Sequence, residues 1–170
     1  ADNVGNTAAI TLGDSGTDSV NFGQLRVVSD LDTTITENSG TDFTGSSVVG
    51  GSLTLTSAGN ITDDATADIA VTGTASFTAT ASSITLGDNG ANNDTNFGSL
   101  TLNGVNATVT EDSGTNFIGS SSLRGFLTLT SAGDITDDAN ATIAVTGIAS
   151  LTADNVGNTA AITLGDSGTD

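Results

Sequence analysis

The sequence predicts an all-β fold, a parallel β-solenoid whose most economical form is a three-sided right-handed β-helix of about 25 residues per turn. Three observations carry this. Apolar residues alternate with Thr and Ser in runs of four to six, as in LTLT from Leu53 and ITLG from Ile84, which is the period of a strand with one buried face. Gly, Asn, Asp and Ser clusters separate the runs, which is turn chemistry. The whole pattern then recurs, and repeats of this length point to stacked supersecondary units.

Repetition exists at two levels. Residues Ala1 to Asp18 return letter for letter as Ala153 to Asp170, an offset of 152. Inside that unit, GSLTLTSAGNITDDATADIAVTGTASFTA from Gly51 returns as GFLTLTSAGDITDDANATIAVTGIASLTA from Gly125, an offset of 74 that leaves 78 for the other half. Strand starts at Leu25, Leu53, Phe77, Leu100, Leu127 and Leu151 suggest six turns to the 152-residue unit, three in each half. A turn of this size holds three short strands and three bends. From Leu127 these are Leu127 to Thr130, a strand centred on Ile135 and Thr136, and Ile143 to Val145. On this reading residues 1–170 form a single continuous segment. Leu53, Phe77, Leu100, Leu127 and Leu151 form one inward ladder, and Ile35, Ile61, Ile84, Val109, Ile135 and Ile162 another. Phe22, Phe43, Phe97 and Phe117 fill wider corners. Handedness follows the general rule for parallel crossovers.

Composition bounds the function. The chain has 170 residues, 2 Lys plus Arg against 20 Asp plus Glu, and a formal net charge of −18. Counterion-release binding to nucleic acid needs clustered Lys and Arg, and attachment to anionic lipid needs the same. The sequence contains no His, Cys, Met, Trp, Tyr or Pro, so disulfides, Cys/His zinc sites and thiol or imidazole catalysis are excluded. No apolar run reaches transmembrane length. Leu, Ile, Val and Phe make up 40 of the 170 residues, above the roughly 20% below which disorder is expected.

The ends carry the same sequence in the same phase and show no distinct cap, whereas a finished solenoid needs caps to cover its ladders. The expectation is an excerpt of a longer, near-periodic chain, with copies of itself as partners, end to end or within one long polypeptide. An isolated segment is expected to fray or aggregate.

The block LTLTSAG-ITDDA---IAVTG-AS-TA, followed by ITLGD and NFGSLTL, resembles repeats of giant bacterial extracellular and surface proteins of the filamentous-haemagglutinin-like β-helical type. The resemblance implies an extracellular or cell-surface location and a structural segment of a long fibre or filament. Its alternative is the stalk of a large adhesin, holding a ligand through calcium-bridged faces or a tip elsewhere.

Acidic bends are the candidate sites. Asp14, Asp18, Asp88, Asp94, Asp166 and Asp170 lie in Gly/Asn-rich bends after ITLG. Asp63, Asp64, Asp137 and Asp138 form pairs. Glu111 and Asp112 sit in one bend, with Glu37 and Asp42 in its counterpart. Calcium takes six to eight oxygens from such groups, so Asp14, Asp18, Asp88, Asp94, Asp166, Asp63, Asp64, Asp137 and Asp138 are its candidate ligands. The competing reading is a solvated acidic face that keeps fibres apart, with no cofactor. EF-hand spacing and the Gly-Gly-x-Gly-x-Asp nonapeptide are both missing. Rows such as Thr54/Thr56, Thr78/Thr80 and Thr128/Thr130 resemble ice-binding arrays, but Asn103, Asp154, Arg26 and Val28 interrupt them and Thr is a good exposed strand residue anyway. Asn60, Asn93, Asn106 and Asn140 open Asn-x-Thr triplets, which arise readily in so Thr-rich a chain. An enzyme is not expected, because an acid pair repeated through the turns is architecture rather than the unique cleft that hydrolysis requires.

Overall fold

A computed structural model describes residues 2–3, 8–87, 94–154 and 159–165. Alternation of β-branched and small polar residues produces the strands. Thr33–Glu37 and Leu53–Ser57 each bury every second side chain, so Ile35, Leu53 and Leu55 point inward at 0–1% exposure while the intervening Thr residues face out. No helix occurs among the described residues. All registered strand neighbours are parallel. The fold is therefore a parallel β-solenoid.

Three ladders run the length of the stack. On the first face Ile10, Thr33, Leu53, Ala75 and Leu100 lie over one another. On the second, Thr41, Ile61, Ile84, Ala107, Leu127 and Ala149 do so in close to equal steps along the chain. The third begins with Val28, Val48, Ala70 and Asn96. The long strands Asp68–Ala79 and Thr95–Gly104 run from the third face to the first without a break in pairing, apart from a bulge between Phe97 and Ser99. The first and third faces thereby merge into one 13-stranded sheet, and the second stands apart as a six-stranded sheet. Phe43, Phe77, Phe117, Leu86 and Leu102 are among the fully buried side chains between them.

Each turn takes about 22 residues. That is shorter than the period of the strand markers in the sequence, and it changes what stacks on what. A half-repeat spans about three and one-third turns, not three. Each strand of the first half therefore reappears one face further round. Thr33–Glu37 lies on the first face and its counterpart Ala107–Glu111 on the second. Leu53 is on the first face and Leu127 on the second. Ser46–Val49 is on the third, whereas Ser120–Leu123 stacks on Asn103 and Gly104 of the first.

Both ladders expected from the sequence are split accordingly. Leu53 and Leu100 share a stack but Leu127 and Leu151 belong to the second face, where Leu151 lies on Leu129. Ile35 is on the first face, Ile61 and Ile84 pair on the second, and Ile135 pairs with Ile162 in the larger sheet. The sequence reading fails here because residues alike in sequence need not be neighbours in space. Phe43 and Phe117 likewise lie within strands, stacked on Leu25 and Leu100, rather than in corners.

The ITLG bends depend on one backbone conformation. Gly13, Gly87 and Gly165 all have φ near +70°, a region that costs an L-residue roughly 1–2 kcal/mol. A Cβ on Gly87 would also overlap the Thr110 carbonyl oxygen, whereas Gly16 faces open space. Gly87→Ala is expected to destabilise the fold by at least about 2 kcal/mol, and Gly16→Ala to lie within about 0.5 kcal/mol of the parent. Urea midpoints of the two variants check this. A Gly87→Ala midpoint equal to that of Gly16→Ala would remove the strain argument.

Candidate functional site: the acidic corners

The acidic residues hold one turn on the next. Parallel stacking leaves corner N–H groups with no strand partner, and a buried or half-buried donor without an acceptor costs free energy. Short carboxylate and carboxamide side chains at the corners fill this need. Asp32 Oδ1 accepts from Ser52 N at 2.8 Å, and Asn106, the counterpart of Asp32, accepts from Phe126 N at 3.0 Å. Asn60 accepts from Ser83 N at 3.0 Å and its counterpart Asp134 from Ala161 N at 2.8 Å. Asn38 accepts from Val20 N at 2.8 Å and its counterpart Asp112 from Thr95 N at 2.9 Å. Asp42 takes the Thr62 hydroxyl at 2.9 Å, and Asn116 takes the Thr136 hydroxyl at 3.1 Å.

At four positions, then, a carboxylate in one half is an amide in the other while the contact persists. What these positions require is an acceptor, not a charge. Asp32, Asn38, Asn116 and Asp134 do not stand out as sites in the sequence, although aligning the two halves exposes the Asp/Asn exchange. Asn60 and Asn106, which open Asn-x-Thr triplets, have their side-chain oxygens committed to these clamps.

The Asp pairs divide into two roles. Asp63 is 7% exposed, and its Oδ2 accepts the N–H of Gly87 at 2.9 Å. Asp137 receives Gly165 N at 3.2 Å on each oxygen. The first Asp of each pair thus ties down the left-handed glycine of the next ITLG bend. Asp64 closes its own turn, accepting Thr66 N at 2.8 Å, the Thr66 hydroxyl at 2.7 Å and the Thr44 hydroxyl at 2.7 Å. These donors, the Thr66 hydroxyl foremost, hold its carboxyl below the usual Asp range. Asp138 is exposed, and its main-chain carbonyl accepts from Ala141 N at 2.8 Å.

Asp14, Asp18 and Asp94 are exposed. Asp18 accepts Ser15 N at 3.2 Å, and hydrogen bonding from Ser15 lowers its pKa. Asp94 contributes its carbonyl to Ile69 N at 2.8 Å. Asp88, Asp166 and Asp170 lie outside the described residues. Calcium needs at least six oxygens around one point. Among the described residues no three acidic side chains converge to hold a metal ion, and most of those named above already accept protein donors.

Two carboxylates are almost wholly enclosed. Glu37 and Glu111 are each 1% exposed. Glu111 Oε1 accepts Phe97 N and the Ser113 hydroxyl, both at 3.0 Å, and Oε2 accepts the Thr115 hydroxyl at 2.6 Å. Glu37 repeats the arrangement with Phe22 N at 2.8 Å, the Ser39 hydroxyl at 2.7 Å and the Thr41 hydroxyl. Desolvation pushes the Glu111 carboxyl above its ordinary range, against the pull of these donors. The Glu-x-Ser-x-Thr spacing is what lets one carboxylate gather three donors, two of them from its own bend.

Two consecutive segments of the chain, residues 30–102 and 103–170, match a family of repeats of unknown function, DUF5649. The chain belongs to this family. The two matches start 73 residues apart (103 − 30), close to the 74-residue offset of the half-repeat, so one DUF5649 repeat corresponds to about three and one-third turns of the solenoid. No curated protein and no solved structure matches the chain.

Proposed function

We propose that the chain is a structural repeat segment of a long bacterial extracellular fibre or cell-surface filament, in which it acts as a stiff acidic rod. The observation that supports this best is the one-third-turn advance per repeat. A platform built to bind a flat ligand gains from placing equivalent residues in one column. Here each repeat turns its strands to the next face, and three repeats return them to the first, so no single face accumulates the same side chains. That distribution suits a rod loaded equally on all sides.

Continuous parallel ladders supply stiffness. The corner Asp and Asn side chains clamp each turn to the next, and the net charge of −18 opposes lateral sticking. The likeness to giant bacterial surface repeats supports the extracellular setting. Nothing in this role calls for catalysis.

Immunogold electron microscopy with antibodies against the chain tests the reading on the producing cells. Labelled thin filaments outside the cell envelope are the expected result. Label confined to the cytoplasm, or to compact particles, would overturn it.

A further inference from the structure

The strands TTITE, LTLTS and ASFTA of the first half-repeat stack directly on one another. Their outward side chains form two columns on the first face, Thr34 over Thr54 over Ser76 and Thr36 over Thr56 over Thr78. The counterparts in the second half-repeat do the same on the second face, with Thr108, Thr128 and Ser150 beside Thr110, Thr130 and Thr152. Three of the four residues that interrupt these rows in the sequence do not stand in them. Val28 belongs to the third face and Arg26 lies on the approach to it. Asp154 follows Ala149–Ala153 as the chain leaves the second face. Asn103 alone keeps its place, beside Thr78 at one end. The columns are thus continuous over three turns in each half-repeat. No charged side chain stands in them, although the chain carries −18.

Threonines at the corners spend their hydroxyls within the protein, as Thr44, Thr66 and Thr115 do on carboxylates. Among the described residues, the hydroxyls of Thr34, Thr36, Thr54, Thr56, Ser76 and Thr78 make no hydrogen bond to the protein. In the next turn Thr101 donates its hydroxyl to the Ile118 carbonyl at 2.7 Å, and Asn103 accepts from Ser122 N at 3.1 Å. The uncommitted hydroxyls therefore form a bounded patch. Outward neighbours along a strand are about 6.6 Å apart and successive turns about 4.8 Å. β-branched side chains are stiff at χ1, and the paired strands fix where each one starts, so the array is ordered before anything meets it. Each Thr offers a hydroxyl that both gives and takes hydrogen bonds and a methyl group that orders the water around it. A ligand that satisfies such a plane is uncharged, flat, and itself a lattice of donors and acceptors at two fixed spacings. The oxygen rows of crystalline ice have this character.

We propose that the two Thr-x-Thr patches bind the surface of ice. A rigid array pays little ordering entropy when its hydroxyls and the water held on its methyl groups join a crystal. Each half-repeat carries one patch and advances by one-third of a turn, so successive patches look out from successive faces. A filament built this way presents a patch to ice whichever side it lies on. The inference goes beyond the rod reading and does not depend on it.

Nanolitre osmometry and ice-recrystallisation assays on the full chain test it, with ice itself as the probe. The parent is expected to facet growing crystals and to slow recrystallisation. Thr54→Tyr/Thr128→Tyr sets a bulky ring in the middle of each patch, on strands that accept Tyr readily. It is expected to lose both effects with its far-ultraviolet circular dichroism spectrum unchanged. Ser46→Tyr sets the same bulk on the third face, outside either patch, and is expected to behave as the parent does. If the double variant loses its strand spectrum, Thr56→Tyr/Thr130→Tyr carries the same test in the second column. A parent with no effect on ice, or a folded double variant as active as the parent, would overturn the inference. So would a parent that binds powdered cellulose and leaves ice crystals unchanged. Each of these results leaves the rod reading standing, because that reading turns on where the filaments lie.

Discussion

Phe77→Ala is expected to destabilise the solenoid by about 3–5 kcal/mol, the range for emptying a buried aromatic site. Phe77 has no exposed surface. It stacks between Leu55 of the preceding turn and Leu102 of the next. Its ring meets Phe43 edge-on at 6.3 Å and Phe97 at 5.6 Å, so it joins residues on all three faces. Such aromatic pairs add about 0.5–1.5 kcal/mol beyond their buried area. The backbone ladders on either side hold the turn spacing near 4.8 Å, so neighbouring turns have little freedom to collapse into the void.

The consequence extends beyond the loss itself. A solenoid is stabilised by each turn's contact with the next, and Phe77 lies mid-stack. The variant is expected to unfold in urea with a lower midpoint and a broader transition, as the turns on either side uncouple. Phe126, a large apolar residue 43% exposed at a bend, serves as control, with Phe126→Ala changing stability by less than about 1 kcal/mol. A Phe77→Ala midpoint within that same margin would show that the interior is not packed as described.

Fold class is legible because the two signals that specify a solenoid are local. Alternation in Thr33–Glu37 or Leu127–Ser131 can be read from five residues, and the Gly/Asn/Asp bends between strands from four. The length of a turn is not local. It is set by how much chain each corner consumes, and the corners differ: the path from Ala70 to its stacking partner Asn96 is longer than the path from Thr33 to its partner Leu53. Markers such as Leu53 and Leu127 lock the expected period to the sequence repeat, whereas the backbone closes on its own period and lets the sequence repeat drift round the axis.

The acidic corners show a similar limit. Charge is conspicuous in a sequence, and it draws attention to Asp14 and Asp18, which are exposed. The clamps at Asn38, Asn60 and Asn106 carry no charge, yet they make the same contacts as the carboxylates at Asp112, Asp134 and Asp32. Acceptor geometry, which unites them, becomes visible only once the half-repeats are aligned on the fold. Glu37 and Glu111 read in the sequence as members of solvated bends, although the Ser and Thr that follow each of them at fixed spacing already supply the donors that allow burial.

Glu111→Ala is expected to cost about 3 kcal/mol or more, since it leaves Phe97 N, Ser113 Oγ and Thr115 Oγ1 facing an apolar void, and each buried donor without an acceptor costs about 1–3 kcal/mol. Glu111→Gln preserves the shape and one acceptor oxygen for Phe97 N and Ser113, and Thr115 can rotate its hydroxyl to accept from the new amide. It is expected to lose no more than about 1 kcal/mol at neutral pH. The two variants differ most in how they respond to acid. Burial raises the Glu111 pKa in the folded state, so the folded protein binds this proton more tightly than the unfolded chain does. Its contribution is fully present below the unfolded value of about 4.3 and is lost as pH rises through the folded value. Asp18 and Asp64 act in the opposite sense. Their pKa values are lowered in the fold, so the stability they contribute is present above the unfolded value of about 3.9 and lost as pH falls through their folded values. The parent is therefore expected to gain stability as pH falls from 7 towards about 4.5 and to lose it under stronger acid. Relief of the general negative repulsion contributes to the same rise, but it is common to both proteins. The difference in urea midpoint between the parent and Glu111→Gln isolates the buried carboxyl: the parent should improve relative to the variant on acidification. Parallel pH profiles for the two would mean that Glu111 binds its proton no more tightly in the solenoid than in the unfolded chain.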